Sequence, residues 1–108
     1  MSVVREIDVE TLASRRKSGD SPFLLDVRQP GEFALARIEG ALLIPLDELP
    51  SRQGELDASR EIVVVCHHGV RSVSGAAILQ NAGFERVVSL RGGIDAWSLR
   101  VDPAVPRY

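Results

Sequence analysis

The chain has 108 residues, 44% of them apolar and 26% charged, with a net charge of −2. This length predicts one domain over residues 1–108, large enough to bury its own core. The small net charge favours neither nucleic acid nor an anionic membrane as a partner. No apolar run is long enough to cross a bilayer, and the charged N-terminal stretch does not resemble a signal peptide, so we expect a cytoplasmic protein. The lone cysteine, Cys66, excludes an internal disulfide and fits a reducing compartment.

Apolar runs alternate with segments of helical spacing along the chain. Strands are predicted at residues 3–7, 23–27, 41–44, 62–65 and 86–90. Helices are predicted from the N-cap Asp8 to Gly19, over 32–36, from Ser72 to about residue 82, and over 94–99. A turn or two over 46–49 is expected to end at Pro50, before a polar loop or frayed helix, and residues 101–108 are expected to form an extended surface tail. The alternation predicts an α/β fold with a mostly parallel sheet and helices on both faces.

One charged residue, Asp26, interrupts the buried strand predicted at residues 23–27. A carboxylate in such surroundings needs a partner for its charge. The candidates are Arg28 and Arg37.

The stretch with the strongest chemical signal runs from the strand at 62–65 through Cys66 to a predicted helix at Ser72. We place this purely apolar strand at the centre of the sheet. The loop of residues 66–71 would gather backbone N–H groups and the positive end of a helix dipole. Such a field favours a cysteine thiolate over the thiol, which predicts a reactive Cys66.

Four motifs in order resemble those of the rhodanese-like sulfurtransferase family. They are LDVRQPGEF at residues 25–33, IEGALLIP at 38–45, CHHGVRS at 66–72 and LRGGIDAW at 90–97. No single motif is very specific, but their order and spacing match the family from about residue 7 to residue 97. The resemblance implies the rhodanese-like three-layer α/β fold, with a central sheet between helices.

The resemblance also implies an activity and a site. Cys66 would be the catalytic residue, taking sulfane sulfur from thiosulfate or a related donor as a persulfide. The acceptor would be cyanide or a thiol, including a protein thiol, and no cofactor is implied. The substrate-binding residues would be those that follow in the loop: His67, His68, Gly69, Val70, Arg71 and Ser72.

Three loop residues and the loop backbone have physical reasons for their expected roles. The backbone N–H groups would stabilise the thiolate and then the persulfide, and Gly69 would permit a close approach of the backbone. Arg71 would either bind the sulfonate end of thiosulfate or tie the loop to a carboxylate. Ser72 would cap the following helix.

The two histidines leave two interpretations open. Their side chains would either act on the bound anion, or only their backbone N–H groups would matter. Three adjacent residues of the type Cys-His-His seldom converge on one metal ion, so no metal site is predicted.

One motif departs from the usual pattern. Family members often carry Gly-His-Ile where this chain has Ala36-Arg37-Ile38. An arginine at this position would keep a hydrogen bond to a carboxylate such as Asp26, with a different reach.

Two other functions remain as alternatives. A phosphatase or arsenate reductase of the same fold has five residues between cysteine and arginine, whereas four separate Cys66 from Arg71. The shorter loop suits a single sulfur atom better than a tetrahedral phosphate. The other alternative is a non-enzymatic sulfur-relay or protein-binding module.

Overall fold

A five-stranded sheet of order β1-β5-β4-β2-β3 organises the computed structural model, which describes residues 3–108. The strands are β1 Arg5–Ile7, β2 Phe23–Asp26, β3 Leu42–Leu43, β4 Ile62–Val65 and β5 Val87–Leu90. Every neighbouring pair is parallel. The predicted parallel sheet with β4 at its centre is therefore confirmed, although β1 and β3 are shorter than expected. Met1 and Ser2 of the predicted domain lie outside the described residues.

Five α-helices alternate with the strands along the chain. They are α1 Val9–Lys17, α2 Pro30–Leu35, α3 Leu49–Arg52, α4 Arg71–Asn81 and α5 Gly93–Arg100, with 3-10 turns at Leu46–Glu48 and Gln53–Glu55. Asp8 caps α1 as predicted, because its carboxylate accepts a hydrogen bond from the backbone N–H of Thr11. Within residues 3–108, no helix combines the length and apolar character needed to cross a membrane.

The central strand β4 feeds two hydrophobic cores, one on each face of the sheet. Val63 and Val65 pack on the side of α1 and α5, while Val64 and Cys66 face the side of α3 and α4. This division follows from the alternation of side chains along a strand. The predicted placement of helices on both faces is thus confirmed.

The chain departs from the prediction at Pro50. Pro50 does not end the helical turns but lies in the first turn of α3, and helical structure continues to Glu55. A proline is tolerated there because the first backbone N–H groups of a helix have no partner within it.

The tail also differs from the extended surface segment that was predicted. Residues 101–105 form turns in which the N–H of Val105 donates to the carbonyl of Asp102. Val105 packs into the core on the side of α1 and α5 and anchors the tail there. The proline-rich sequence gave no sign of this apolar contact.

The charge of Asp26 is neutralised inside the protein by Arg28. Both side chains have no exposed surface, and the guanidinium makes three hydrogen bonds of 2.7–3.0 Å to the carboxylate. The alternative partner, Arg37, is wrong: it is exposed, and its guanidinium lies 4.9 Å from the centre of the Phe33 ring. Arg28 reaches the carboxylate because it lies two residues away, just beyond the end of β2.

Candidate active site

Cys66 directly follows β4 and therefore lies at the carboxyl edge of the sheet. Ligands of open parallel sheets bind at this edge. The loop of residues 66–70 then leads into α4, and only 1% of the cysteine is exposed. The arrangement of strand, loop and helix is the one predicted, except that α4 begins at Arg71 instead of Ser72.

Two groups lie within hydrogen-bonding distance of the Cys66 sulfur. The backbone N–H of Gly69 donates a 3.0 Å hydrogen bond to Sγ, and the hydroxyl of Ser72 lies 3.3 Å from it. Gly69 has φ +99°, and a Cβ at this position would lie 3.0 Å from the backbone nitrogen of Gly92. A glycine is therefore required for the loop to turn its N–H towards the sulfur. Such a hydrogen bond favours negative charge on Sγ.

The opposite side of the loop is held by the first turn of α5. The N–H of Ile94 donates to the carbonyl of Cys66 at 2.8 Å, and the N–H of Asp95 donates to the carbonyl of His67 at 3.0 Å. Gly93 has φ +59°, and a Cβ there would collide with these two carbonyl oxygens. The LRGG motif thus has a structural role, because it lets α5 approach the loop closely and donate hydrogen bonds to its carbonyl groups.

Arg71 pairs with Glu32 of α2 through two hydrogen bonds of 2.7 and 2.9 Å. Hydrogen bonding to Arg71 is the main reason that the pKa of the Glu32 carboxyl lies well below its usual value. Glu32 in turn raises the pKa of Arg71. Of the two roles expected for Arg71, the structure shows the tie to a carboxylate, and binding of a sulfonate stays a prediction.

Tyr108 is a site residue that the sequence analysis missed. Its hydroxyl donates to Glu32 at 2.8 Å and accepts from Arg28 at 2.8 Å. Its ring is stacked on His67, with 3.9 Å between the ring centres and 7° between the planes. Tyr108 is 80 positions from Arg28, and no local spacing relates the two residues. The only signal was that Tyr108, the single tyrosine of the chain, ends a tail that was predicted to be extended.

The two histidines of the loop occupy different environments. His67 is partly buried beneath Tyr108, and its Nε2 atom has no hydrogen-bond partner within residues 3–108. Burial lowers the pKa of His67, and repulsion by His68 lowers it further. The His68 side chain is 62% exposed, with Nδ1 3.9 Å from a carboxylate oxygen of Asp95. Of the pair, His67 is held in place and His68 projects outward.

Two loop residues remain, Val70 and Ser72, and the helix-capping role predicted for Ser72 is not confirmed. Val70 is 76% exposed, and it is the N-cap of α4. Ser72 therefore does not cap the helix but lies within its first turn, which corrects the prediction. Its buried hydroxyl instead lies 2.7 Å from that of Ser89 on β5, a residue that the sequence analysis did not select. The physical reason is the earlier start of α4, which turns Ser72 towards the sheet.

The fold and the cysteine loop define the class of protein. A family model described as a rhodanese-like domain matches residues 8–100, and the chain belongs to this family. It is 39% identical over 103 residues to a sulfurtransferase of Allochromatium vinosum, covering 95% of this chain and 96% of that protein. The family resemblance drawn from the four motifs is confirmed.

Two further comparisons extend this result. The chain is 35% identical to the putative sulfur carrier protein YrkF of Bacillus subtilis, over 90% of this chain and 52% of that one. The crystal structure of a rhodanese-related protein from Thermoplasma volcanium superposes with a TM-score of 0.83 at 30% identity, covering 96% of this chain and 99% of that chain. Family and relatives together support sulfur transfer as the general chemistry of the protein.

Proposed function

We propose that this protein carries sulfane sulfur on Cys66 as a persulfide. The donor is thiosulfate or a related compound, and the acceptor is cyanide or a thiol. The observation that carries this proposal is the hydrogen bond from the Gly69 N–H to Sγ of Cys66, within the short loop that leads into α4. It supports a sulfur atom that bears negative charge, which is the form that attacks a sulfur–sulfur bond.

The reaction has two balanced steps. The Cys66 thiolate attacks the outer sulfur of thiosulfate, the sulfur–sulfur bond of the donor breaks, and sulfite leaves with the bonding electron pair. The acceptor then attacks the terminal sulfur of the persulfide. With cyanide as acceptor, thiocyanate is formed and the thiolate of Cys66 is regenerated.

The size of the loop and the state of Arg71 favour sulfur transfer over phosphate chemistry. Four residues separate Cys66 from Arg71. In addition, two nitrogen atoms of the Arg71 guanidinium are already bonded to Glu32. Bidentate binding of a phosphate group would require these same two donors. The phosphatase alternative therefore has less support than the sulfurtransferase.

The acceptor must come from outside the chain. Cys66 is the only cysteine, so no second thiol of the protein can attack the persulfide. A protein thiol is one such acceptor, and the similarity to a protein named as a putative sulfur carrier favours this version of the proposal. A thiol without an internal partner suits a reducing compartment such as the cytoplasm.

Mass spectrometry tests the chemistry directly. The protein is incubated with thiosulfate, its intact mass is measured, and thiocyanate is determined after cyanide is added. We expect a gain of one sulfur atom that cyanide removes. Cys66→Ser is the control, because it should keep the fold and lose the sulfur adduct. No adduct with any sulfane donor would overturn the proposal.

The same experiment separates the enzyme from the relay module. Repeated turnover with thiosulfate and cyanide identifies an enzyme that accepts small molecules. A stable persulfide that small acceptors do not remove, but a protein thiol does, identifies a relay.

A further inference from the structure

Two buried serines extend from the reactive sulfur into the protein. Ser72 of α4 lies between Cys66 Sγ, at 3.3 Å, and the hydroxyl of Ser89 on β5, at 2.7 Å. Neither serine has any exposed surface. Within residues 3–108, the two hydroxyl groups have no other hydrogen-bond partners. The side chains of Cys66, Ser72 and Ser89 are thus joined in a row by two contacts.

The number of protons available shows which protonation state of the Cys66 sulfur is compatible with these two contacts. Each contact holds one proton. With a neutral thiol, the S–H and the two hydroxyl groups bring three protons to two contacts, so one proton has no acceptor. With a thiolate there are two protons for two contacts. Ser89 then donates to Ser72, and Ser72 donates to the sulfur. A persulfide also has no proton on Sγ, so both states of the proposed reaction match the chain.

We propose that Ser72 is a hydrogen-bond donor to the unprotonated sulfur and that Ser89 is a positioning residue that orients the Ser72 hydroxyl. The inference rests on the proposed function only in giving these two serines a purpose, which is to keep Cys66 ready for sulfur transfer. A buried polar group without a partner is costly, and this cost falls on the thiol state.

Titratable groups of the loop and of neighbouring elements also lie near the loop and must be kept constant in a test. They are Arg71 of α4, Glu32 of α2, Asp95 of α5, and the loop residues His67 and His68. The serines are buried and uncharged, so their replacement by alanine leaves this set unchanged.

The rate of alkylation by iodoacetamide as a function of pH measures the reactive thiolate without any sulfur donor. We expect Ser72→Ala to raise the pH of half-maximal rate by about one unit, with about tenfold slower alkylation below it. Ser89→Ala should raise it by less, because Ser72 keeps its hydroxyl. Ser98→Ala is the matched control, since Ser98 is also buried but its hydroxyl has no partner within the described residues. It should leave the pH of half-maximal rate unchanged.

A double variant tests whether Ser89 acts through Ser72. In the Ser72→Ala background, Ser89→Ala should cause no further shift. Ser72→Thr retains the hydroxyl and should behave as the wild type, which separates hydrogen bonding from packing. An unchanged midpoint in Ser72→Ala overturns the inference, as does an equal shift from Ser89→Ala with and without the Ser72 hydroxyl. Because no sulfur donor is used, either failure is independent of the sulfur-loading test.

Discussion

The guanidinium of Arg71 and the carboxylate of Glu32 are joined by two hydrogen bonds, of 2.7 and 2.9 Å. The pair links the first turn of α4 to α2 across 39 positions of the chain. It also connects the cysteine loop to the tail, because Glu32 accepts another hydrogen bond from the hydroxyl of Tyr108. The arginine of the loop is therefore held in place before any substrate arrives.

The pair predicts a dependence of stability on pH. Arg71 lowers the pKa of Glu32 below its ordinary value of 4.5, so the unfolded chain binds more protons than the native one in this range. The contribution is complete above pH 4.5 and is lost as the pH falls through the native pKa. Glu32→Gln should cost about 1 kcal/mol at neutral pH, since the pair is partly exposed, and the cost should shrink below pH 4.

Urea unfolding of the wild type and of Glu32→Gln from pH 3 to pH 7 measures this difference. Glu85→Gln, the same substitution on the exposed surface, is the control for the change of side chain. A gap between wild type and Glu32→Gln that stays constant over this range would show that the ion pair is not its source.

The second prediction concerns the recognition of an anionic donor. Arg71→Ala removes a positive charge that interacts with Cys66 and leaves the Gly69 hydrogen bond to Sγ in place. We expect the KM for thiosulfate to rise about tenfold, with a smaller change for an uncharged sulfane donor. Steady-state kinetics with both donors make the comparison. Equal losses with both donors would indicate a purely structural role in tying the loop to Glu32.

The third prediction concerns the stack of Tyr108 on His67. Burial lowers the pKa of His67, and the stacked Tyr108 ring contributes to that burial. Tyr108→Ala should therefore raise the pKa of His67 towards 6.5, its ordinary value. Tyr108→Phe keeps the ring and should leave most of the shift. The NMR chemical shifts of the two histidines as a function of pH report each residue separately.

The sign of the resulting effect on stability follows from the same shift. His67 binds its proton less readily in the native protein than in the unfolded chain, so this contribution is present above pH 6.5 and is lost as the pH falls through the native pKa. A titration in Tyr108→Ala identical to that of the wild type would contradict the assignment of the burial to the tail.

The fourth prediction compares two glycines with positive φ. Gly93→Ala would bring a Cβ into the carbonyl groups of Cys66 and His67, whereas a Cβ at Gly83 meets nothing within 4 Å. Both variants should lose about 1 kcal/mol from backbone strain. Only Gly93→Ala should also disrupt the loop, with at least a tenfold loss of sulfur loading. Thermal unfolding and the intact-mass assay measure the two effects. Equal loading by both variants would argue against a role of α5 in shaping the loop.

Local patterns in the sequence predicted most of the architecture. The apolar run at residues 62–65 identified the central strand, since a parallel strand buried on both faces has no polar alternation. The cysteine loop was also predicted from local sequence, because strand, loop and helix follow one another directly in the chain. Boundaries were less certain: α4 begins one residue earlier than predicted, and this shift changed the role of Ser72 from helix cap to neighbour of the sulfur.

The sequence by itself determined the order of the elements, the family and the position of the cysteine loop. These properties follow from periodicity and motif spacing, which are local. Only the tertiary structure decided which side chains surround the loop. Glu32, Ser89 and Tyr108 reach it from three different elements, and their contacts depend on how those elements pack against the sheet. Distances across a folded chain have no counterpart in residue spacing, so no local pattern could have shown them.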